Sequence, residues 1–308
     1  MNDTFEVIAG DVLVRDRRIA AVGAVPPTEG VDRVIEAHGA FLLPGLIQTH
    51  IHLCQTLFRS YADDLALLDW SRTRLWPMEA AHTPASLAAA ARQAASELLM
   101  SGTTTVLTME TVHDTDSVFA APTAACGRRS RRASRCRARR PCSRVDDHEQ
   151  SVMAEHDVKV LHCPGSNLKL GTGLAPIVEM RAKGISVSLG ADGAACNNHL
   201  DMFEEMRLAA VLRSVRKGPG ALTARDALWM ATREGARAIG LERDRPQFIA
   251  SHDPYSTLVY SARGSDVRTT VVDGEVLVDQ FRPTRWDPAL IAADARGEAA
   301  RLAVRAGF

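Results

Sequence analysis

A segment near the middle of the chain, Gly127–Arg144, cannot contribute to a packed core. It contains nine arginines and no Leu, Ile, Phe or Met, so it has no apolar face. Such a run fits an arginine arm for RNA or a membrane surface, a solvated loop, or translation from a shifted reading frame of a GC-rich gene. The aromatic residues that usually accompany arginine in nucleic-acid platforms are missing, which argues against the arm. We favour the shifted frame, because a shifted frame of a GC-rich gene would yield such a mixture of Arg, Ala, Cys, Pro and Ser. The sequence predicts an irregular stretch over 122–144, with rapid trypsin cleavage between Arg128 and Arg144.

Strand and helix patterns alternate on either side of this segment. Leu42–Ile51 is an apolar strand pattern, and a helix with proline in its first turn follows from Thr83 to Ser101. The alternation continues with a strand at Thr103–Thr108, a helix at Ala175–Lys183, a strand at Ile185–Leu189, and helices at Asp201–Val215 and Thr223–Ile239. This order is typical of the α/β class with a parallel sheet or barrel.

The length of this region is too small for a closed eight-stranded barrel. Such a barrel takes roughly 250 residues, or about 31 for each strand-helix unit. Residues 44–240 number 197, and the irregular stretch 122–144 removes 23 of them. The remainder accommodates roughly five or six units, so we expect an incomplete barrel.

Short strand patterns separated by Gly, Asp and Pro occupy both ends of the chain. They are Phe5–Ala9, Val12–Arg15, Ile19–Val22 and Arg33–Ile35 at one end, and Thr257–Tyr260, Val267–Asp273 and Glu275–Val278 at the other. The pair Asp273-Gly274 is a hairpin signal. Because an isolated hairpin is marginally stable in water, we expect residues 1–43 and 253–285 to form one small β-sandwich domain. Residues 44–240 would be the inserted barrel, and 286–308 a C-terminal helix.

Two histidines stand at the end of the first predicted barrel strand. His50 and His52 are two residues apart, so their side chains project from one face and both imidazoles can reach one metal ion. An isolated pair of this kind could equally line a polar strand end. A later strand pattern, Ile185–Leu189, delivers Asp192 beyond its carboxyl end, where parallel barrels build their sites. Alone, Asp192 could cap the next helix; together with the histidines it favours a metal site.

Long ordered motifs connect these residues to a known group of proteins. The motifs are Pro44–His52, Ala62–Leu65, Trp76–Glu79, Ser101–Thr105, His162–Leu170 and Gly190–Asn198. With them the chain resembles the amidohydrolase superfamily. Within it, the chain looks most like the S-adenosylhomocysteine, methylthioadenosine and 5′-deoxyadenosine deaminases, and less like the atrazine chlorohydrolase branch. The resemblance covers about residues 5–120 and 146–290.

The resemblance implies a (β/α)8 barrel, a β-sandwich made from both termini, and one divalent metal ion, usually zinc or iron. His50, His52 and Asp192 would be the ligands, and Asp192 would also act in catalysis and contact the substrate. Glu79 matches the position that holds the ribose hydroxyls, and Trp76 lies in the same motif of the substrate site. The reaction would be hydrolytic deamination of an adenosine-type purine nucleoside, by water whose pKa the metal lowers toward about 7.

The chain departs from this group in its middle. The group carries a third histidine ligand and its partner glutamate on the fifth barrel strand, and a further histidine on the sixth; we find no counterparts here. The chain passes from Val118–Ala121, which resembles the helix after the second strand, to Ser151–His156, which resembles the helix before the seventh. Barrel strands three to six are therefore expected to be absent, and activity to be weak or lost.

Composition bears on the choice of partner. Lysine plus arginine and aspartate plus glutamate both number 37, so the formal net charge is zero and no general attraction to nucleic acid is expected. No apolar run approaches the ~18 residues of a membrane span. The six cysteines lack CxxC spacing and no signal-peptide pattern opens the chain, which favours a reduced, cytoplasmic protein. Open strand edges would favour a homo-oligomer.

Three other functions compete with deamination. Hydrolysis of a chlorinated or amino-substituted triazine keeps the enzyme class and changes the substrate. A non-catalytic remnant or interaction protein and an arginine-arm nucleic-acid binder belong to other classes. Release of ammonia against chloride separates the two enzymes, and salt-dependent RNA binding would reveal the arm.

Overall fold

The computed structural model of the protein describes residues 6–25, 30–126, 131–132, 144–240 and 253–308. Most of the predicted irregular stretch 122–144, and with it the predicted trypsin-sensitive region, lies outside these residues. Its first part, residues 122–126, continues a helix, so the prediction of irregular structure is wrong there. In the described part of the chain, no helix has the length and apolar character needed to cross a membrane.

The secondary structure follows the predicted alternation. The strands are β1 (Asp11–Arg15), β2 (Arg18–Gly23), β3 (Leu46–His52), β4 (Thr103–Thr108), β5 (Arg131–Arg132), β6 (Val160–His162), β7 (Val187–Leu189), β8 (Asp192–Gly193), β9 (Thr270–Val272), β10 (Glu275–Asp279) and β11 (Arg282–Pro283). The α-helices are α1 (Leu67–Trp70), α2 (Trp76–Ala80), α3 (Pro84–Met100), α4 (Thr115–Cys126), α5 (Asp147–Glu155), α6 (Pro164–Lys169), α7 (Ile177–Ala182), α8 (Ala194–Asn197), α9 (Met202–Lys217), α10 (Ala224–Ala231), α11 (Arg233–Ala238), α12 (Pro254–Ser256) and α13 (Pro288–Ala306). A 3-10 helix, Leu53–Phe58, follows β3 directly.

β3 lies in the middle of an arc of parallel strands. It pairs with β4 on one side and β8 on the other, and β4 also pairs with β5. β7 and β8 belong to one bent segment, 187–193, whose first part pairs with β6. The carboxyl ends of these strands therefore meet at one edge of the arc. Among the described residues β5 and β6 do not pair with each other, so no closed barrel forms there.

The helix between β3 and β4 begins and ends where the sequence predicts. The hydroxyl of Thr83 accepts the backbone N–H of Ser86, and the Ser86 hydroxyl accepts that of Thr83, which makes a capping box. Pro84 occupies the first turn, where its missing N–H costs nothing. After α3 ends, Gly102 has φ +81° and turns the chain into β4.

The last helix of the barrel region departs from prediction. α10 begins where the sequence predicts, with a capping box formed by Thr223 and Asp226. The helix was expected to reach Ile239, but it breaks at Thr232, whose hydroxyl donates to the carbonyl of Leu228 (2.6 Å). α11 then brings Gly235 against β3, where a Cβ would lie 2.9 Å from the Cβ of Ile47. Close packing on the strand thus overrides the continuous helical pattern.

Apolar side chains pack the helices onto the arc. Burial of each Val, Leu or Met side chain contributes roughly 1.5 to 3 kcal/mol. One cluster joins α7, α9 and α10 to β3, β6 and β7, through residues including Met180, Met202, Met206, Leu228, Leu46, Val160 and Leu189. A second joins α3 and α4 to the end of β3, through Leu87, Leu98, Val118 and Ile51. A third packs α13 and α2 on the 3-10 helix, through Leu302, Met78 and Phe58.

The two ends of the chain form separate sheets. β1 and β2 make an antiparallel hairpin, while β9, β10 and β11 make an antiparallel sheet. Asp273 and Gly274, with φ +57° and +79°, form the turn that the sequence predicts. Ion pairs connect the ends, from Arg17 to Asp273 (3.6 Å) and from Arg33 to Asp279 (2.5 Å). A joint β-sandwich stays a prediction.

Two predicted strands near the N-terminal end are wrong. Of Phe5–Ala9, residues 6–9 form no strand, and Phe5 lies outside the described residues. Arg33–Ile35 forms no strand either. Val34 is 71% exposed, so its alternating pattern has no neighbouring strand to cover it.

The predicted strand Thr257–Tyr260 is also wrong, because this segment is helical. Asp253 accepts the backbone N–H of Tyr255 (3.0 Å), and the next helix turn starts at Pro254. The winding buries Leu258 and its neighbour in the cluster that holds α9 and α10. Capping and burial together outweigh the β-propensity of the segment.

Candidate metal centre

The carboxyl end of β3 presents two histidines to one carboxylate. His50 Nε2 lies 3.5 Å and His52 Nε2 lies 3.1 Å from Oδ1 of Asp192. The two rings stand edge to face, with centroids 5.0 Å apart. The three ligand atoms lie within 4.8 Å of one another, and within the described ranges this is the compact group of metal-ligating side chains that the fold assembles.

Strand pairing brings Asp192 to the histidines. β8 lies parallel to β3, with Asp192 opposite Ile51. Gly190 permits this approach, because a Cβ there would lie 2.6 Å from the carbonyl oxygen of His50. Asp192 has φ +65°, a left-handed conformation that costs an L-residue on the order of 1 kcal/mol and persists only where its surroundings hold it.

The environment of Asp192 keeps its carboxylate ionised. Ser166 Oγ donates to Oδ2 (2.7 Å), and the backbone N–H of Gly193 donates to Oδ1 (2.9 Å). Burial acts to raise the pKa of Asp192, but hydrogen bonds from His50 and His52 outweigh it and hold the pKa well below its usual range. A partly buried carboxylate that stays charged attracts a cation to this position.

His52 is oriented for ligation through Nε2. Its Nδ1 donates to the backbone carbonyl of Met109, which directs Nε2 at Asp192. A carbonyl on the far nitrogen is the usual outer partner of a metal-bound histidine, since it sets the tautomer and the ring orientation. Burial lowers the pKa of His52, but the hydrogen bond with Asp192 and the charges of Asp192 and Glu110 raise it to about 9.

This donor set suits a divalent metal ion such as zinc. Catalytic zinc sites use imidazole and carboxylate ligands, with three protein ligands and one position left for water. The side chains of His50 and Asp192 each keep 20% of their surface exposed, so the group opens toward solvent. The residues therefore fit a metal centre in chemistry, spacing and access.

Glu79 lies near this group. It is buried, and it accepts hydrogen bonds from Gln55 Nε2 (3.0 Å) and from Thr111 Oγ1. Burial raises the pKa of Glu79, although both hydrogen bonds and the charge of His52 oppose the rise. Trp76, three residues earlier on α2, is 54% exposed. The structure thus places Glu79 beside the histidines and Trp76 at the surface.

A second carboxylate, Glu110, escaped the sequence analysis. Its oxygens accept the backbone N–H groups of Leu53 (2.9 Å) and Cys54 (3.0 Å), which begin the 3-10 helix after His52. Glu110 stands two residues beyond β4, at the same edge of the arc as the histidines. The rule that parallel strands collect functional groups at their carboxyl ends would have identified it.

His162, at the end of β6, does not join the metal-ligating group. It is buried, and in the described structure neither ring nitrogen has a hydrogen-bond partner. Burial lowers its pKa to about 3. Cys163 and Cys196 are both buried.

Comparison with known sequences gives one consistent result. Residues 41–136 and 138–277 match the model of the amidohydrolase family. The chain is 30% identical to the 5′-deoxyadenosine deaminase of Methanosarcina acetivorans, over 99% of this chain and 96% of the relative. It is also 30% identical to the 5-methylthioadenosine/S-adenosylhomocysteine deaminase of Halobacterium salinarum, over 100% and 97%. The Methanosarcina alignment extends over 415 residues against 308 here, so at least 107 aligned positions are gaps in this chain.

Solved structures agree in fold. An atrazine chlorohydrolase of Arthrobacter aurescens complexed with zinc superimposes with TM-score 0.77 at 22% identity, over 94% of each chain. An adenosine deaminase of Xanthomonas campestris with bound zinc gives 0.70 at 24%, over 85% of each chain. These similarities confirm a fold of the TIM-barrel type, to which the arc of parallel strands belongs.

Proposed function

The chain belongs to the amidohydrolase family, and from this membership we propose that it hydrolyses the exocyclic C–N bond of an adenosine-type purine nucleoside at a divalent metal centre. The observation that carries the proposal is the compact group of His50, His52 and Asp192. The names of the two deaminase relatives support the substrate class. Zinc is the proposed metal, with iron as the alternative, because two structural neighbours hold zinc.

Four side chains would hold the metal ion, accept the proton of water or position the proton acceptor. When bound, the metal ion supplies positive charge that lowers the pKa of a water molecule toward about 7. His50 and His52 would hold the ion through their imidazoles, and Asp192 through its carboxylate, which Ser166 keeps in place through Oδ2 (2.7 Å). Asp192 would also accept the proton of the attacking water as the water oxygen bonds to the ring carbon. That proton would then pass to the amino group, and the C–N bond would break with release of ammonia.

Glu79 and Trp76 would contact the rest of the substrate. Gln55 and Thr111 both donate to Oε1 of Glu79, so Oε2 would be available to accept from a ribose hydroxyl. Trp76 offers an exposed ring on the same helix. The buried position of Glu79 makes its contact with a hydroxyl selective, because a substrate without that hydroxyl leaves a buried carboxyl group unpaired.

The rate should be low. We propose that barrel strands three to six, with the family's third histidine ligand and its glutamate, are absent from this chain; the 107 missing aligned positions support this. That glutamate would carry the proton between the attacking water and the substrate ring, and such acid-base help contributes about 10²- to 10⁴-fold, so without it turnover should be near background even with Asp192 present. We propose that the chain is organised as a β-sandwich domain of residues 1–43 and 253–285, a barrel region of residues 44–240 and a C-terminal helix of residues 286–308. The ion pairs between the two ends of the chain support the first of these. A cytoplasmic location remains part of the proposal.

Metal content and product release test this proposal. We expect purified protein to contain less than one equivalent of zinc or iron, and to lose it on dialysis against a chelator, because few protein ligands hold the ion. Ammonia release from adenosine, 5′-deoxyadenosine or S-adenosylhomocysteine should be slow and should disappear in Asp192→Ala. Asp294→Ala, at the 43% exposed Asp294, is the control and should change neither quantity.

Two outcomes would contradict parts of the proposal. Turnover of about 1 per second, abolished in Asp192→Ala, would show that the chain has a replacement base. Absence of both metal and ammonia release would favour a non-catalytic remnant. The likeness to atrazine chlorohydrolase keeps triazine hydrolysis as the second candidate, and chloride release from a chlorinated triazine would establish it.

A further inference from the structure

The carboxyl group of Glu205 is buried between the two segments that hold Asp192. Glu205 lies in the first turn of α9 and is 0% exposed. Its Oε2 accepts the backbone N–H of Gly165 on α6 (3.1 Å), and its Oε1 accepts Nδ2 of Asn197 on α8 (2.8 Å). In the described structure the carboxyl group has no salt bridge, and both of these donors are uncharged N–H groups.

Each of the two residues that donate to Glu205 is one step from a contact that holds Asp192. Gly165 is followed by Ser166, whose hydroxyl donates to Asp192 Oδ2 (2.7 Å). Asn197 Nδ2 also donates to the carbonyl of Ala191 (2.6 Å), the residue before Asp192. Glu205 therefore contacts both segments that fix Asp192: the one whose Ser166 holds the side chain, and the one whose Asn197 holds the backbone at Ala191.

The fit around Glu205 leaves little freedom. A Cβ on Gly165 would lie 2.5 Å from Glu205 Oε1 and 2.7 Å from Asn197 Oδ1, closer than real Cβ contacts. Asp192 also needs outside support, because its φ of +65° is unfavourable for an L-residue. Displacement of the carboxyl group would release both supports together.

We propose that Glu205 is a positioning residue that sets the orientation of Asp192 in the metal centre. The inference rests on the proposed function, in which Asp192 binds the metal. Burial raises the pKa of Glu205 to about 8, so an uncharged side chain of similar size would suit this position better for stability alone. Its role is therefore expected to appear in ligand geometry and not in stability.

The variant Glu205→Gln separates a role in ligand geometry from a role in stability. A glutamine keeps the size but offers one carbonyl oxygen, so it can accept from Gly165 or from Asn197 and places its own NH₂ against the other donor. Loss of such outer contacts typically lowers metal affinity about 10- to 100-fold. We expect that loss in the zinc Kd, measured by competition with a chromophoric chelator, with a thermal midpoint equal to wild type or higher.

A second measurement needs no metal. The Gly193 amide donates to Asp192 Oδ1 (2.9 Å), so its hydrogen exchange in metal-free protein reports the orientation of that carboxylate. Exchange at Gly193 should be faster in Glu205→Gln. Gly165→Ala, which pushes the carboxyl group aside, should produce the same change with Glu205 present. Glu204→Gln, one residue away and exposed, is the matched control and should behave as wild type.

The outcomes distinguish this inference from the proposed function. Unchanged Gly193 exchange in both Glu205→Gln and Gly165→Ala would overturn the positioning role, whatever the metal content. If wild type binds zinc and Asp192→Ala does not, wild-type affinity in Glu205→Gln would also overturn it. Failure of the wild-type chain to bind zinc would remove the proposed metal centre, while the exchange experiment would still decide the role of Glu205.

Discussion

Burial and hydrogen-bond partners set the protonation of three histidines of this protein: near neutral pH His52 is charged, whereas His82 and His162 are neutral. The pKa of His52 rises to about 9 because Asp192 and Glu110 surround it with negative charge. The pKa of His82 falls to about 4 and that of His162 to about 3, in both cases chiefly through burial. Sequence spacing identifies the first histidine as functional, while the other two acquire their properties from the fold.

The first prediction concerns acid stability and His82. His82 Nε2 donates to the carbonyl of Cys54 (3.1 Å), and Nδ1 accepts from Ser86 (2.9 Å), so the folded protein holds the ring neutral. The unfolded chain binds a proton below about pH 6.5, whereas the folded protein does so only near pH 4. Stability is therefore complete above pH 6.5 and falls as the pH decreases, by about 1 kcal/mol per pH unit from this residue.

Urea unfolding between pH 4 and 7.5 checks this prediction. The unfolding free energy of His82→Gln should fall less steeply on acidification than that of wild type. The reason is that unfolding of the variant takes up about one proton fewer. His156→Gln replaces an exposed histidine and should follow the wild-type curve. Parallel curves for wild type and His82→Gln would show that His82 is not held neutral.

At the level of secondary-structure elements, local signals place helix starts well and helix ends less well. α3 and α10 both begin at a capping box. Their ends differ, because Gly102 stops α3 through its own backbone, whereas α10 stops where α11 must pack Gly235 on β3. A capping box is a contact between residues three apart, while the break after α10 depends on a strand far away in sequence.

The cap of α10 supports a second prediction. Thr223 Oγ1 accepts the backbone N–H of Asp226 (3.1 Å), and Asp226 Oδ2 accepts that of Thr223 (2.9 Å). Thr223→Ala should lower the free energy of unfolding by about 1 kcal/mol, because one N–H of the first turn loses its acceptor. Thr223→Ser keeps the hydroxyl and should remain close to wild type. Equal midpoints in urea for the alanine and serine variants would contradict this account of the cap.

Over the entire protein, the arc of parallel strands leaves edges without a partner strand. In the described part of the chain, β6 pairs with β7 only, and β5 pairs with only two residues of β4. Unpaired N–H and C=O groups on an apolar strand form a template for another chain. The Arg-rich segment Gly127–Arg144 contains no Leu, Ile, Phe or Met, so its composition offers little apolar surface to such an edge.

The third prediction follows from these edges. A soluble preparation should be oligomeric or prone to aggregate, so light scattering after size-exclusion chromatography should give a mass above the 33.3 kDa of one chain. Dilution should increase the share of smaller species if the edges join copies reversibly. A monomer with a single sharp unfolding transition would show that the chain closes its own fold.

Local sequence information was sufficient for the alternation of strands and helices, for the starts of α3 and α10, for the Asp273-Gly274 turn and for the pairing of His50 with His52. Each of these depends on neighbours within a few residues, where backbone geometry and hydrogen bonding act directly. Asp192 was identified from its place after a strand, but its distances to the histidines follow from the pairing of β8 with β3. The helical form of Thr257–Tyr260, the burial of Glu205 and the hydrogen bonds that Glu110 accepts from the 3-10 helix came from contacts between distant segments. Such contacts depend on how helices pack against strands, and local propensity and residue spacing do not determine that packing.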